Sequence, residues 1–245
     1  MAEFRIEIAG KVFAVRSLFD STKDYCHAYL TDADAAFSVT VTREDIAFEQ
    51  RFLDEEADEE GFRRRKFTDP FLERAAIQRA VAEALISCRT LLIHGSAIAA
   101  DGKGYLFTAK SGTGKSTHTR LWRQLLGDRA VMINDDKPFI RLTEDGAQLC
   151  GAPWSGKHGL DTNITVPLAG ICLLERGEQD AIAPLGKEDL LALLRQHGCP
   201  PLAQEKLAQY DALLQELAAV AAGWKMACTK DPNAALVAHT AMSQA

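Results

Sequence analysis

The chain has 245 residues, a formal net charge of −6 and 47% hydrophobic residues, enough for one large domain or a domain with a smaller appendage. The acidic balance argues against a general nucleic-acid-binding protein, because phosphate backbones are bound by accumulated Lys and Arg. The sequence contains no apolar run of bilayer-spanning length, no signal-peptide pattern and no cysteine spacing suited to zinc. We therefore expect a cytoplasmic protein that binds neither nucleic acid nor membrane.

The first part of the chain shows the alternation of apolar and polar residues that is typical of β-strands. Residues 4–8 and 12–15 alternate on either side of a short turn, and this pattern predicts a hairpin. Residues 37–42 and 46–52 predict two further strands. We therefore expect a small antiparallel sheet with one solvated face, within an N-terminal region that covers residues 1–68.

A run of charged residues ends this region. Residues 54–60 are almost wholly acidic, and the basic run 63–66 follows at once. Two interpretations stay open: a solvated loop whose two halves neutralise each other, or a docking surface for a charged partner.

The remainder, residues 69–245, predicts a larger α/β domain. Asp69 can cap a helix that Pro70 begins, and helical spacing of apolar residues continues to about Cys88. Short apolar runs then predict strands, and Asp101-Gly102 between two of them indicates a hairpin. The predicted strands are 90–94, 96–100, 105–108, 130–134, 138–142, 147–150, 170–174 and 224–228, and the predicted helices begin near residues 116, 187, 202 and 231.

The segment Ala109-Lys-Ser-Gly-Thr-Gly-Lys115-Ser116 fits the Walker A phosphate-loop pattern, with Ala in place of the first Gly. It lies between a predicted strand and a predicted helix, the context in which main-chain amides and a helix N-terminus bind phosphate groups. Lys115 would bring a positive charge, and the Ser116 hydroxyl could ligate magnesium. The predicted nucleotide-binding residues are Ala109, Lys110, Ser111, Gly112, Thr113, Gly114, Lys115, Ser116 and Thr117.

Two adjacent carboxylates, Asp135 and Asp136, follow the predicted strand 130–134. Beside a triphosphate, one could hold magnesium while the other accepts the proton of an attacking hydroxyl. The predicted metal ligands are therefore Ser116, Asp135 and Asp136. An ordinary turn that uses Asp-Asp is the alternative.

Further candidates lie at strand ends and in a glycine-rich loop. His94 could hold phosphate or orient the carboxylates, or it could be a core or capping histidine. Lys157, in the loop 153–159, could neutralise charge on a transferring phosphoryl group, or it could be an exposed lysine in a turn. Arg141 and Arg176 are weaker candidates.

Taken in order, His94-Gly95, the loop 111–116 and Asp135-Asp136 resemble the catalytic domain of HPr kinase/phosphorylase, a family that shares its architecture with phosphoenolpyruvate carboxykinase. The resemblance covers about residues 90–180 and is closest to small stand-alone HPr kinase-like serine kinases, some of which sit beside ribosomal-peptide biosynthesis genes. It implies a mixed sheet, ATP and Mg²⁺ as cofactors, and a protein or peptide serine as acceptor.

By this resemblance Lys115 would contact the β- and γ-phosphates, Asp135 would be the first candidate for the general base, and His94 would lie near the transferring group. The division of roles between Asp135 and Asp136 stays open. Lys157 stands where the family has an arginine, which puts phosphorylase activity in question. The function alternatives are a nucleotide-binding regulatory or scaffold protein without transfer activity, and a small-molecule kinase. A homo-oligomer is compatible with the sequence.

Overall fold

The structure is a computed structural model that describes residues 1–59 and 61–244. Its contacts divide the chain into two compact units, Met1–Ala84 and Leu85–Ala245. The predicted boundary between residues 68 and 69 falls at the start of a helix, Asp69–Ile86, most of which groups with the first unit.

The first unit contains three strands and three helices within the described residues. The strands β1, β2 and β3 form a sheet in that order, with β1 and β2 antiparallel as predicted. The third strand differs from the prediction, because β3 pairs parallel to β2 after the chain has crossed through α1. The elements are β1 (Ala2–Ile8), β2 (Lys11–Ser17), α1 (Asp20–Tyr25), β3 (Phe37–Thr40), α2 (Arg43–Glu59) and α3 (Asp69–Ile86).

The predicted strand 46–52 is wrong, since these residues lie within helix α2. Thr42 and Asp45 form a reciprocal cap: the Thr42 hydroxyl accepts from the Asp45 amide at 3.3 Å, and the Asp45 carboxylate accepts from the Thr42 amide at 2.8 Å. Burial then recurs at Ile46 and Glu49, which is helical spacing. The alternation of apolar residues that suggested a strand includes Phe48, which is exposed.

The acidic half of the charged run is also helical, because α2 extends to Glu59. The Arg64 guanidinium donates from Nε to Asp58 Oδ1 at 2.9 Å, so at least one pair of opposite charges meets on the surface. Glu60, the last acidic residue of the run, lies outside the described residues.

The second unit begins with the end of α3 and contains the remaining elements. The strands and helices predicted there are confirmed with shifted ends, and β11 is an additional strand that the sequence pattern did not predict. The elements are β4 (Thr90–Leu92), β5 (Ser96–Ala100), β6 (Lys103–Thr108), α4 (Lys115–Leu126), β7 (Ala130–Asn134), β8 (Phe139–Thr143), β9 (Gly146–Cys150), β10 (Thr165–Arg176), β11 (Ala181–Leu185), α5 (Lys187–His197), α6 (Leu207–Val220), β12 (Gly223–Cys228) and α7 (Asn233–Ser243).

Within the described residues, nine strands form one mixed sheet, which confirms the predicted α/β class. Seven lie in the order β4-β8-β9-β10-β6-β5-β7, while β12 pairs with β10, and β11 with β12. Strand β10 changes partners along its length: it pairs antiparallel with β9 at residues 165–167 and parallel with β6 from residue 168 onward.

Two hydrophobic clusters cover opposite faces of this sheet. Along β6, Leu106 belongs to one cluster, while Tyr105 and Phe107 belong to the other, as alternation along a strand requires. Leucines of α5 and α6 pack with Leu106, and α4 and α7 pack on the opposite face, with Trp122 fully buried. Helices on both faces leave the strand ends as the place where polar side chains can gather.

No helix in the described part of the chain has the length and apolar character needed to cross a membrane.

Candidate functional site

The loop between β6 and α4 contains the Walker A-like segment. Gly112 and Gly114 have φ angles of 74° and 126°, a region that glycine adopts without steric cost. Helix α4 begins at Lys115, directly after the loop, so its free amides face the space that the loop encloses. The Arg176 guanidinium, at the end of β10, donates to the Gly112 carbonyl at 2.7 Å and ties the loop to the neighbouring strand.

The Lys115 side chain is half-buried beneath this loop. Its ammonium group donates to the Ala109 carbonyl at 3.2 Å. Burial lowers the pKa of Lys115, and the negative charges of Asp136 and Asp135 act in the opposite direction. The lysine therefore lies close to both predicted carboxylates.

Asp135 is buried beneath the first turns of α4. Its carboxylate accepts a hydrogen bond from the Ser96 hydroxyl at 2.7 Å, and Ser96 is 2.9 Å from the hydroxyl of Thr119 on α4. This network fixes the carboxylate relative to the helix that carries Ser116 and Thr117.

Asp136 is more accessible than Asp135 and lies beside His94. The His94 Nε2 atom is 3.5 Å from Asp136 Oδ1, a contact longer than a direct hydrogen bond. Burial, helped by the charges of Lys115 and Lys137, lowers the pKa of His94 to about 3, so the imidazole is neutral at neutral pH. Burial also raises the pKa of Asp136, against the opposing effect of Lys137 and Lys115.

Asn134, at the end of β7, holds the carboxylate segment in place. Its side-chain oxygen accepts from the amides of Asp136 and Lys137 at 2.9 and 2.7 Å. Its side-chain nitrogen donates to the carbonyls of Ala152 and Trp154 at 2.7 and 3.2 Å. One buried amide therefore connects the carboxylates to the start of the loop that contains Lys157.

That loop touches the carboxylates at Gly156. A Cβ atom on Gly156 would lie 3.0 Å from the Cβ of Asp136, and the glycine has a φ of 70°. Lys157 follows in a short 3₁₀ turn and is exposed. Lys157 is thus the sequence neighbour of a residue that approaches Asp136, and its own side chain is exposed to solvent.

The oxygen atoms of Ser116, Asp135 and Asp136 are the donor type that Mg²⁺ prefers. Among the described residues, no group of three or more His, Cys, Asp or Glu side chains is arranged to hold a metal ion. A few protein ligands suit magnesium that binds together with substrate phosphates, because Mg²⁺ keeps several other oxygen ligands. The residues present fit that kind of site.

A cavity of about 340 Å³ opens beside the loop. Its walls come from the loop and the first turns of α4 on one side and from the ends of β10 and β12 on the other. The lining residues are Thr113, Gly114, Thr117, His118, Leu121, Arg176, Gly177, Cys228, Thr229 and Lys230.

One wall residue of this cavity, His118, is 1% exposed. The indole nitrogen of Trp122, which can only donate, lies 3.1 Å from His118 Nε2, so that nitrogen is the acceptor. Burial lowers the pKa of His118 to about 4, and the ring is therefore neutral with its proton on Nδ1. No group in the described residues accepts a hydrogen bond from Nδ1.

With this geometry established, comparison with known proteins gives one family. The sequence model of the family described as "SynChlorMet cassette protein ScmC" matches residues 71–199, more than half of the chain. This chain belongs to the ScmC family. No curated protein matches it significantly.

Among solved structures, this ScmC-family chain is similar to the Hpr(Ser) kinase/phosphatase from Coxiella burnetii. The identity is 10%, the match covers 62% of this chain and 94% of that chain, and the TM-score is 0.37. A match at this score carries no information on activity. The predicted HPr kinase-like serine kinase therefore stays a prediction.

The structure gathers most of the predicted site residues of this ScmC-family chain in one place: the loop 109–114, Lys115, Asp135, Asp136 and His94. Arg141 lies elsewhere, where its guanidinium donates to Gln148 across the β8–β9 hairpin at 2.7 Å. Sequence reasoning missed Ser96, Thr119, Asn134 and Lys137, all of which contact or act on the predicted residues. Asn134 and Lys137 flank the Asp pair, so their position beside it was a usable signal.

Proposed function

We propose that this protein is a Mg-ATP-dependent kinase that transfers the γ-phosphate to a serine or similar hydroxyl of a protein or peptide. The observation that carries the proposal is the position of Lys115. The lysine starts a helix behind a loop of small residues, and its charge acts on two adjacent carboxylates. Phosphoryl transfer needs this combination of a phosphate-binding loop, a cation and carboxylates for metal and proton.

The two carboxylates have environments that suit different roles. Asp135 is buried and accepts a hydrogen bond from Ser96, which also contacts Thr119 on α4, the helix that carries Ser116, so Asp135 fits the role of metal ligand. Asp136 is more accessible, has a raised pKa and lies beside His94, so it fits the role of proton acceptor. This assignment differs from the first choice of Asp135 that the family resemblance implied.

In the proposed reaction, the acceptor oxygen forms a bond to the γ-phosphorus while the bond from that phosphorus to the β,γ-bridging oxygen breaks. The hydroxyl proton passes to Asp136, and ADP leaves. Magnesium, when bound with the nucleotide, would neutralise charge on the phosphate oxygens. Lys115 and the loop amides would bind the β- and γ-phosphates.

The cavity beside the loop supports the same proposal. Its volume of about 340 Å³ lies in the range of small-molecule sites. It begins at Gly114 and Thr117, next to the proposed phosphate site, so it would receive the base and ribose of the nucleotide.

The test uses γ-labelled ATP with magnesium, a panel of serine-containing peptides, and cell extract. We expect the full chain to bind Mg-ATP in calorimetry and to label an acceptor, and Lys115→Ala to abolish both. Lys103→Ala, at an exposed position at the start of β6, is the matched control.

Absence of nucleotide binding in the wild-type chain would contradict the proposal. Binding without any labelled acceptor would instead support a regulatory nucleotide-binding protein. Label found only on small hydroxy compounds would identify a small-molecule kinase.

A further inference from the structure

The segments 93–95 and 136–138 continue the antiparallel ladder of β4 and β8. In the ladder itself, Thr90 pairs with Arg141 and Leu92 with Phe139. Beyond it, the Ile93 amide donates to the Pro138 carbonyl at 3.3 Å, and the Gly95 amide donates to the Asp136 carbonyl at 2.8 Å. Both bonds keep the same register, and this register sets His94 directly opposite Lys137.

The hydrogen bonds also define the type of pair. The two cross-strand bonds join Ile93 to Pro138 and Gly95 to Asp136, the pairs before and after His94 and Lys137. His94 and Lys137 themselves therefore form a non-hydrogen-bonded pair. In such pairs the side chains point to the same face, with Cβ atoms about 4.5–5.5 Å apart. Lys137 is therefore a cross-strand neighbour of His94, although 43 positions separate them in the sequence.

The other edge of the segment 92–94 also forms main-chain hydrogen bonds. The His94 amide donates to the His197 carbonyl at 2.8 Å, and the Cys199 amide donates to the Leu92 carbonyl at 3.0 Å. Asn134 fixes the backbone of Lys137. The pair of His94 and Lys137 is therefore held by main-chain bonds on both sides.

The charge of Lys137 affects the pKa values of two neighbouring side chains. It is one of the causes that lower the pKa of His94, and it opposes the burial that raises the pKa of Asp136. Lys137 and Lys115 both act on Asp136, and the ammonium group of Lys137 has no role in the mechanism described above.

We propose that Lys137 is a further catalytic residue, whose ammonium group binds the γ-phosphate opposite Lys115. This inference rests on the proposed kinase function. During transfer, the Lys137 side chain offsets the negative charge of the phosphoryl oxygens as the acceptor oxygen approaches, while Asp136 takes the acceptor proton. Lys157, which lies on an exposed loop, is the rival for this role.

The experiment compares the affinities of the full chain for two probes, Mg-AMP-PNP and Mg-ADP, by calorimetry. AMP-PNP, a non-hydrolysable ATP analogue, carries the γ-phosphate and ADP lacks it, so the ratio of the two dissociation constants reports contacts to that group. We expect Lys137→Ala to weaken Mg-AMP-PNP binding about tenfold or more while Mg-ADP binding changes little. We expect Lys137→Arg to restore part of the ratio, because the charge is kept.

Lys103→Ala is the matched control, with a wild-type ratio expected. Lys137→Gln repeats the test with a side chain of similar length if the Ala variant melts at a lower temperature in circular dichroism. A ratio unchanged in both Lys137 variants, an equal loss for both nucleotides, or a loss of the ratio in Lys157→Ala alone would overturn the proposal. A wild-type chain that binds neither nucleotide would refute the kinase function itself.

Discussion

Two parts of the candidate site differ in how firmly the chain holds them. The strand-end segments, 93–95 and 134–138, are fixed by main-chain bonds and by the buried side chain of Asn134. The glycine-rich loops, 110–112 and 156–159, are exposed and rely on positive-φ glycines. The groups proposed for proton transfer and charge are thus placed before a ligand arrives, whereas the loops can adjust around phosphate and acceptor.

The largest effect should come from the strand-end segments. Asp136→Asn removes the proposed proton acceptor while keeping the shape of the side chain, so we expect transfer to fall roughly 10²- to 10⁴-fold with Mg-AMP-PNP binding little changed.

Asp135→Asn should instead raise the magnesium concentration that nucleotide binding requires. The measurements are phosphate transfer from labelled ATP and calorimetry across a magnesium series. The opposite result would be a lower transfer rate alone in Asp135→Asn and an altered magnesium requirement in Asp136→Asn. It would make Asp135 the proton acceptor and Asp136 the magnesium ligand.

A second prediction concerns the fixed first turn of α4 and its pH dependence. His118 has a pKa of about 4 in the folded chain, against an ordinary value of 6.5. Between these values the unfolded chain binds a proton that the folded chain does not, so stability falls as the pH drops from 6.5 to about 4. Over this pH range the free energy of unfolding should fall by about 3 kcal/mol.

Urea unfolding at several pH values checks this prediction. His118→Gln keeps an acceptor for Trp122 without the titration, and its stability should depend less steeply on pH over this range. His158→Gln, at an exposed position, is the control and should keep the wild-type slope. Equal slopes in the wild-type chain and His118→Gln would contradict the burial argument.

The smallest effect should come from the glycine-rich loop. Gly156→Ala and Gly159→Ala both place a side chain at positive φ, so each should cost about 1 kcal/mol of stability. Only the alanine at 156 would press on Asp136, since nothing lies within 4 Å of the position that a Cβ on Gly159 would take. We expect a reduced transfer rate in Gly156→Ala alone. Identical rates in the two variants would show that this loop does not control Asp136.

The sequence was informative where a local pattern determines the structure. The Walker A-like segment predicted a strand, a loop and a helix over residues 105–126, and β6 and α4 have these positions. Helix α2 was missed, although Thr42 and Asp45 form a capping box that is visible in the sequence, because the aromatic alternation of residues 46–52 was given more weight. Lys137 lies directly after the Asp pair, but its pairing with His94 could not be recognised from that position, since the pairing depends on the register of β4 against β8.

Strand β10 connects the loop 109–114 to the β8–β9 hairpin through a single stretch of backbone. At one end it pairs with β9 of the β8–β9 hairpin that follows the carboxylates. It then pairs with β6 as far as Leu173 and ends at Arg176, which donates to the Gly112 carbonyl. Under the proposed function, one continuous strand thereby connects the loop that would bind the donor phosphates to the hairpin that follows the proposed proton acceptor. A shift of β10 by one residue would therefore displace its pairing with β9 and the contact between Arg176 and the loop together.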